Sequence, residues 1–346
     1  MTATAIGLIG CGFFARNHLQ SWRDLAGEGA ALAAVCDIDP ARAKAAAAEF
    51  GAARWYSDAN EMFARETLGL VDIATRVDSH RALVQLAVRH RVPTIVQKPF
   101  APDWENGVAM VDAAAKAGVF LAVHENFRFQ TPMLRVREVL ASGAIGAPSW
   151  ARIAFRTGFD VYRTQPYFYT EERLAILDVG IHVLDLARVF LGEAARVSCE
   201  TQRRNPKVRA EDTATMMLRH VGGAVSVVEC TYESRKLPDA FPETLLEIEC
   251  DRGAIVVKPG LVMEVTSDGH TTTSEIGAPL LPWTSKPWHV AQESVRTTCA
   301  HMLAAVRAGR DAETSGVDNL KTFALVEAAY ESAATGRAVA PRIYRA

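Results

Sequence analysis

Charge of one sign is not in excess in this sequence. Lysine and arginine number 38 against 40 aspartates and glutamates, a formal net charge of -2 over 346 residues, and no basic block stands out. Neutralising phosphates takes clustered Lys and Arg, so this balance argues against a nucleic-acid or anionic-membrane surface. No apolar stretch is long enough to span a bilayer. Met1–Gly10 has no basic residue ahead of its apolar run and reads as a first strand, not a signal peptide. The cysteines Cys11, Cys36, Cys199, Cys230, Cys250 and Cys299 are scattered, with no C-x-x-C pair. That usage fits a reduced, cytoplasmic protein with unpaired thiols. Repeats and low-complexity linkers are missing as well.

What is present is a globular composition, 49% hydrophobic and 23% charged, long enough for two domains. Up to about residue 125, apolar runs of four to six residues alternate with helical patterns: Ala5–Ile9, Ala31–Cys36, Leu70–Ala74, Thr94–Gln97 and Val119–Val123 as strands, Phe14–Leu25, Ala41–Phe50, Ser79–His90 and Asp103–Lys116 as helices. This rhythm predicts a doubly wound parallel sheet. Residues 126–346 read differently. Partly alternating runs from Ser149–Phe155 to Thr271–Ile276, several parted by glycine turns, predict a large, mainly antiparallel sheet in an α+β domain. Helical patterns interrupt it at Leu174–Phe190 and close it at Ala291–Ala308 and Val317–Thr335.

Gly10-Cys11-Gly12-Phe13-Phe14-Ala15 is a G-x-G-x-x-A loop between the first strand and first helix. There Gly10 allows the tight turn, Gly12 lets backbone approach a pyrophosphate, and the helix N-terminus offers its N–H groups. Phe13 and Phe14 fall inside the same cradle. Asp37 ends the second strand, 25 positions after Gly12, where a carboxylate accepts from ribose hydroxyls and repels a 2′-phosphate. NAD is therefore expected over NADP. Ile38 would border the adenine. Thr75 would lie along the cofactor, Asp78 or Ser79 would cap the next helix, and His80 would start it, beside the cofactor edge.

Two further motifs carry chemistry: Gln97-Lys98-Pro99, and Asp178-Val179-Gly180-Ile181-His182-Val183-Leu184-Asp185. Together with the loop and Asp37, these residues resemble the Gfo/Idh/MocA family of dehydrogenases over nearly the whole chain. The family's usual Glu-Lys-Pro appears here as Gln97-Lys98-Pro99. The resemblance implies a Rossmann domain followed by an α/β domain whose open sheet pairs subunits into dimers or tetramers. It implies Lys98, Asp178 and His182 as the catalytic set, acting on sugars, polyols or their acids. Gln97–Pro102, His124–Gln130 and Gly158–Tyr167 resemble more narrowly a branch that oxidises a branched pentose to its lactone.

Oxidising a carbinol needs a base, and His182 is the natural one because imidazole titrates near neutrality. Lys98 would polarise the reacting oxygen and also face the nicotinamide. Asp178, four positions before His182, shares its face if the segment is helical, and would orient substrate. Gly180 would leave room for cofactor or substrate. Asp185 reads as support for the imidazole or the helix surface. His124, Asn126 and Arg128 alternate on an extended segment, which makes Asn126 a candidate cofactor contact and Arg128 a candidate sugar contact. Arg156, Asp160, Tyr162, Arg163 and Tyr167 form a polar-aromatic loop suited to sugar hydroxyls. Asp178, His182 and Asp185 offer oxygen and nitrogen ligands to a cation, but further ligands are not apparent and Lys98 opposes one, so no metal is expected. A non-catalytic NAD sensor is the other class, disfavoured because both lysine and histidine are present.

Overall fold

The structure is a computed structural model that describes residues 3–345. Its first compact unit runs to Asn126 and adds Ser294–Leu320 and the segment from Tyr344. It contains β1 (Thr4–Ile9), α1 (Ala15–Asp24), β2 (Ala30–Cys36), α2 (Pro40–Phe50), β3 (Arg54–Tyr56), α3 (Ala59–Arg65), β4 (Leu70–Ile73), α4 (His80–Arg89), β5 (Thr94–Gln97), α5 (Trp104–Ala117) and β6 (Leu121–His124). The strands form one parallel sheet in the order β3-β2-β1-β4-β5-β6. The order reverses direction at β1, as in a Rossmann fold, which opens a ligand crevice at the carboxyl ends of the strands.

Local chemistry explains the helices. Asp39 accepts the N–H groups of Ala41 (3.0 Å) and Arg42 (3.3 Å) while Pro40 fills the first turn of α2, so the chain leaving β2 is committed to helix at once. Asp58 and Asp103 cap α3 and α5 in the same way. Along α1, Ala15, His18, Leu19 and Trp22 recur at helical spacing and are all buried against the sheet. Each large apolar side chain so buried, such as Leu19 or Ile6, contributes about 1.5–3 kcal/mol.

The second unit is Phe127–Glu293 with Lys321–Ile343. It contains α6 (Thr131–Ala141), β7 (Pro148–Arg156), α7 (Ile181–Leu191), β8 (Ala194–Gln202), β9 (Thr213–His220), β10 (Val225–Thr231), β11 (Leu245–Cys250), β12 (Gly253–Lys258), β13 (Val262–Ser267) and β14 (His270–Glu275). The eight strands lie in the order β14-β13-β12-β11-β7-β10-β9-β8; only β7 and β10 pair in parallel. Helix α7 packs on β7 and β10. Two of the unit boundaries fall inside the last two helices, α8 (His289–Arg307) and α9 (Gly316–Thr335).

Five features depart from the sequence reading. β3, α3 and α6 were not foreseen. The segment after His124 is not extended: Phe127–Phe129 is a 3-10 turn, so Asn126 and Arg128 do not alternate along a strand. The helix expected from Leu174 begins as a π-helical turn over Ile176–Gly180. All six cysteines are free thiols. Among the described residues no helix is long and apolar enough to cross a membrane.

Candidate functional site

In the first unit the candidate residues gather at the carboxyl ends of adjacent strands. Gly10 follows β1 with φ +95°, and a Cβ there would lie 2.5 Å from the Ala74 carbonyl oxygen, so only glycine fits. At Gly12 a Cβ would meet nothing within 4 Å, which leaves open space against the loop. α1 carries no side-chain cap and no acidic residue in its first turn, so its N-terminal N–H groups are not claimed by a side chain. The residues therefore fit a dinucleotide pyrophosphate. Asp37 braces the cradle: Oδ2 accepts the Cys11 N–H (2.7 Å) and Oδ1 accepts the Asp39 N–H (2.9 Å). Each oxygen keeps a second acceptor position for a ribose hydroxyl. Arg42 reaches to 3.8 Å from Asp37. Ile38 is 93% exposed, and Phe13 is also exposed, as a surface against a base would be. The Cys11 thiol is buried and pushed up to about 12 by burial and then by Asp37, so it stays protonated.

Thr75 bonds Ser79 through its hydroxyl (2.7 Å). His80 is buried, with Nδ1 at 3.1 Å from the Phe100 carbonyl oxygen and Nε2 at 3.2 Å from that of Thr75. It lies between the loop after β4 and the loop after β5, and burial lowers its imidazole below the ordinary range, so its single N–H serves one of these carbonyls at a time. Lys98 leaves β5 with its backbone N–H donated to Gln97 Oε1 (2.6 Å). Asn126 is buried and donates to Ser294 Oγ (2.6 Å). His124 does not join the strand-end group: its ring is wholly buried, 4.2 Å from that of His18.

In the second unit Asp178 sits in the π turn and His182 in the first turn of α7. The wider turn places them on different partners. Asp178 accepts a hydrogen bond from the hydroxyl of Tyr232, just beyond β10, while His182 lies flat on Phe127, ring centroids 3.9 Å apart and planes at 2°. Stacking fixes the imidazole plane, and a π turn is a frequent device at functional sites. Burial, then the adjacent Asp178, raises the Tyr232 phenol well above its ordinary value, so it remains a donor. Gly180 serves packing instead of ligand access: a Cβ would stand 3.2 Å from the Ala175 carbonyl oxygen and 3.3 Å from Cys230 Sγ.

Asp185 and Arg128 find each other. The buried carboxylate accepts from Arg128 Nε (2.7 Å) and Nη2 (2.5 Å) and from Thr322 Oγ1 (2.7 Å). Burial raises Asp185, but Arg128 outweighs it and the group is held below the usual carboxylate range. The guanidinium expected on the sugar is thus committed to this pair, and Asp185 supports Arg128 where the sequence suggested the imidazole. Tyr162 is buried, donates to Glu233 (3.1 Å) and stacks on Tyr169. Asp160 accepts the Arg163 N–H (3.2 Å) and Tyr167, 43% exposed, bonds Gln165. Glu211, unassigned from sequence, holds the start of the π turn by accepting the N–H groups of Leu174 (3.2 Å) and Ile176 (3.1 Å) and the Tyr330 hydroxyl (2.7 Å). No local pattern announced Glu211, Tyr232 or Phe127.

Residues 4–125 match the family model described as an oxidoreductase family with an NAD-binding Rossmann fold, and residues 133–256 match its C-terminal domain, GFO/IDH/MocA. A D-apiose dehydrogenase of Rhizobium rhizogenes is 49% identical over 98% of this chain and 98% of its own. A D-apiose dehydrogenase of Paraburkholderia graminis is 46% identical over 96% of this chain and 88% of its own. Among solved structures, an oxidoreductase from Agrobacterium radiobacter in complex with NAD+, L-tartaric acid and magnesium superposes with a TM-score of 0.96 at 49% identity, covering 98% of each chain.

Proposed function

The chain belongs to the Gfo/Idh/MocA family and is an NAD-dependent oxidoreductase, and from that premise we propose that it oxidises the anomeric C1 of D-apiose to the lactone. Likeness over 98% of the chain to a relative of that name carries the choice of sugar. His182 takes the hydroxyl proton, its ring plane fixed by Phe127. Lys98 donates to the reacting oxygen and stabilises the negative charge it develops. Asp178, held by Tyr232, receives a second sugar hydroxyl. NAD, when bound, supplies the hydride acceptor, held by Gly10, Gly12 and Asp37 with Phe13, Phe14, Ile38, Thr75 and Asn126 around it. Tyr167 and Asp160 belong to the loop that meets the sugar.

We place the enzyme in the reduced cytoplasm, consistent with six free thiols. We also propose a homodimer or homotetramer formed through the eight-stranded sheet; light scattering at the mass of one 37.6 kDa chain would refute this. The test of function is formation of reduced nicotinamide over a panel of aldoses, inositols and sugar acids, with NAD and NADP separately. Turnover on D-apiose with NAD is expected. A preferred inositol or uronate would overturn the substrate, and NAD binding without turnover on any of them would point to a sensor.

A further inference from the structure

Beneath the Lys98 loop runs a continuous chain of buried hydrogen bonds within the first unit. Trp22 Nε1 donates to Asp72 Oδ2 at 2.7 Å. His18 Nδ1 meets the same oxygen at 2.8 Å. His18 Nε2 lies 2.9 Å from Gln97 Nε2, and Gln97 Oε1 accepts the backbone N–H of Lys98 at 2.6 Å. His18 and Asp72 are wholly buried and Gln97 nearly so.

The donors and acceptors leave one arrangement. A backbone N–H only donates, so the Gln97 atom facing Lys98 is the oxygen. The other amide atom is then NH2, which also only donates. His18 must accept at Nε2 and carry its proton on Nδ1, where Asp72 receives it. Three elements, α1, β4 and β5, are thereby joined by donors that all point one way, from the Lys98 N–H through Gln97 and His18 to Asp72. The far side of the loop is held by His80 on the Phe100 carbonyl. His18, His124 and Cys299 do present ligand atoms within 4.8 Å of one another. Both nitrogens of His18 are already engaged, however, and a cation there would have to displace Gln97.

We propose that Gln97 is the positioning residue of Lys98. The Asp72–His18 pair fixes the orientation of the Gln97 amide, and the amide fixes the backbone from which the Lys98 ammonium reaches the reacting oxygen. This rests on the reading of Lys98 as the oxygen-polarising group. A neutral amide is required because a carboxylate at position 97 has no proton to give His18. Such a carboxylate is accommodated only if the imidazole gains a second proton and bridges two acids. The other groups facing His18 do not supply that proton: they are Trp22 on α1, Phe14 just before it, Asp72 on β4 and His124 on β6, with the Cys299 thiol behind His124.

The test compares wild type, Gln97→Ala, Gln97→Glu and Lys98→Ala in steady-state kinetics on the sugar that gives turnover, from pH 6 to 9, and reads the imidazole 15N shifts of His18. Misplacing a reacting group by about 1 Å costs about 100-fold, so Gln97→Ala is expected to lower kcat about 10- to 100-fold, with KM and NAD affinity nearly unchanged. Gln97→Glu is expected to regain turnover at pH 6. Its turnover relative to wild type should then fall as pH rises, because losing the second proton of His18 leaves two buried carboxylates facing a neutral ring. The 15N shifts should report an Nδ1–H neutral ring in wild type and a doubly protonated ring in Gln97→Glu at pH 6. An Nε2–H ring in wild type overturns the proposal. So does a folded Gln97→Ala with unchanged kcat beside an inactive Lys98→Ala. Full turnover in Lys98→Ala overturns the reading of Lys98 itself, whatever Gln97→Ala does. If Gln97→Ala fails to fold, the pH-dependent rescue in Gln97→Glu decides.

Discussion

Asp37 braces the glycine loop and, in the function proposed above, also binds the ribose, and the ratio of two cofactor affinities separates the two tasks. Its carboxylate closes the glycine loop through the Cys11 and Asp39 N–H groups, a contribution that NAD and NADP share because both place a pyrophosphate there. In the proposed function its remaining acceptor positions would meet the adenosine ribose, and only NAD presents free hydroxyls at both of the positions involved. Asp37→Ala removes the shared brace and the NAD-specific contact together. The shared part lowers the affinity of both cofactors and cancels in their ratio. The NAD-specific part is a hydrogen bond to a charged group, about 1.5–3 kcal/mol, or roughly 10- to 150-fold. Arg42, 3.8 Å from Asp37, is at the same time released toward a 2′-phosphate. The ratio of Kd for NADP to Kd for NAD should therefore fall at least about tenfold in Asp37→Ala. Calorimetric titration of both cofactors into wild type, Asp37→Ala and Asp37→Asn gives that ratio directly. Asp37→Asn retains an acceptor and should fall between them. A ratio unchanged in Asp37→Ala, with both affinities reduced alike, would mean that Asp37 only braces the loop and that ribose recognition lies elsewhere.

Other consequences are as direct. Lys98→Ala and His182→Ala should keep NAD affinity and lose kcat by about 100- to 10000-fold, the span of a general base or oxyanion donor; unchanged turnover in either removes that residue from the reaction. Asp185→Asn should cost about 3–5 kcal/mol in denaturant unfolding, because it leaves the Arg128 guanidinium buried without its carboxylate; a loss under about 1 kcal/mol would show that the pair is not what holds this part of the second unit. His124 is pushed down to about 3, first of all by burial. The unfolded chain takes up a proton near pH 6.5 that the folded chain refuses, so this stability is complete above 6.5 and lost as pH falls. By pH 5 the loss is about 2 kcal/mol, and urea unfolding of His124→Gln should show a flatter pH dependence than wild type.

The parallel sheet was legible because its strands are apolar runs bounded by turn residues, and Thr94–Gln97 is a strand with the limits expected of it. β3 was missed because Arg54-Trp55-Tyr56 is three residues long with two of them exposed, too short for any periodicity to register. The alternation of His124, Asn126 and Arg128 was real in sequence. The chain turns at Phe127, however, and its period-two pattern marks three different partners: the His18 ring, Ser294 and Asp185.

The support of the candidate site was hidden for a different reason. Lys98, Asp178 and His182 stand out in sequence because they fall at a strand end and a helix start, where chemistry is done. Their supports are brought in from distant parts of the chain: His18 meets Asp72 and Gln97, Phe127 meets His182, and Tyr232 meets Asp178. Asp72 nevertheless left a trace. A carboxylate inside Leu70-Val71-Asp72-Ile73, a strand buried on both faces, is unfavourable unless it is hydrogen-bonded. The strand assignment therefore already required a buried donor nearby. Histidine, tryptophan, arginine, lysine, asparagine, glutamine and hydroxyl side chains can supply one, and α1, which covers β1 beside β4, turns His18 and Trp22 inward at helical spacing. A polar residue that contradicts its own strand is thus a constraint on its neighbours, and here following it leads to Gln97 and the backbone of Lys98.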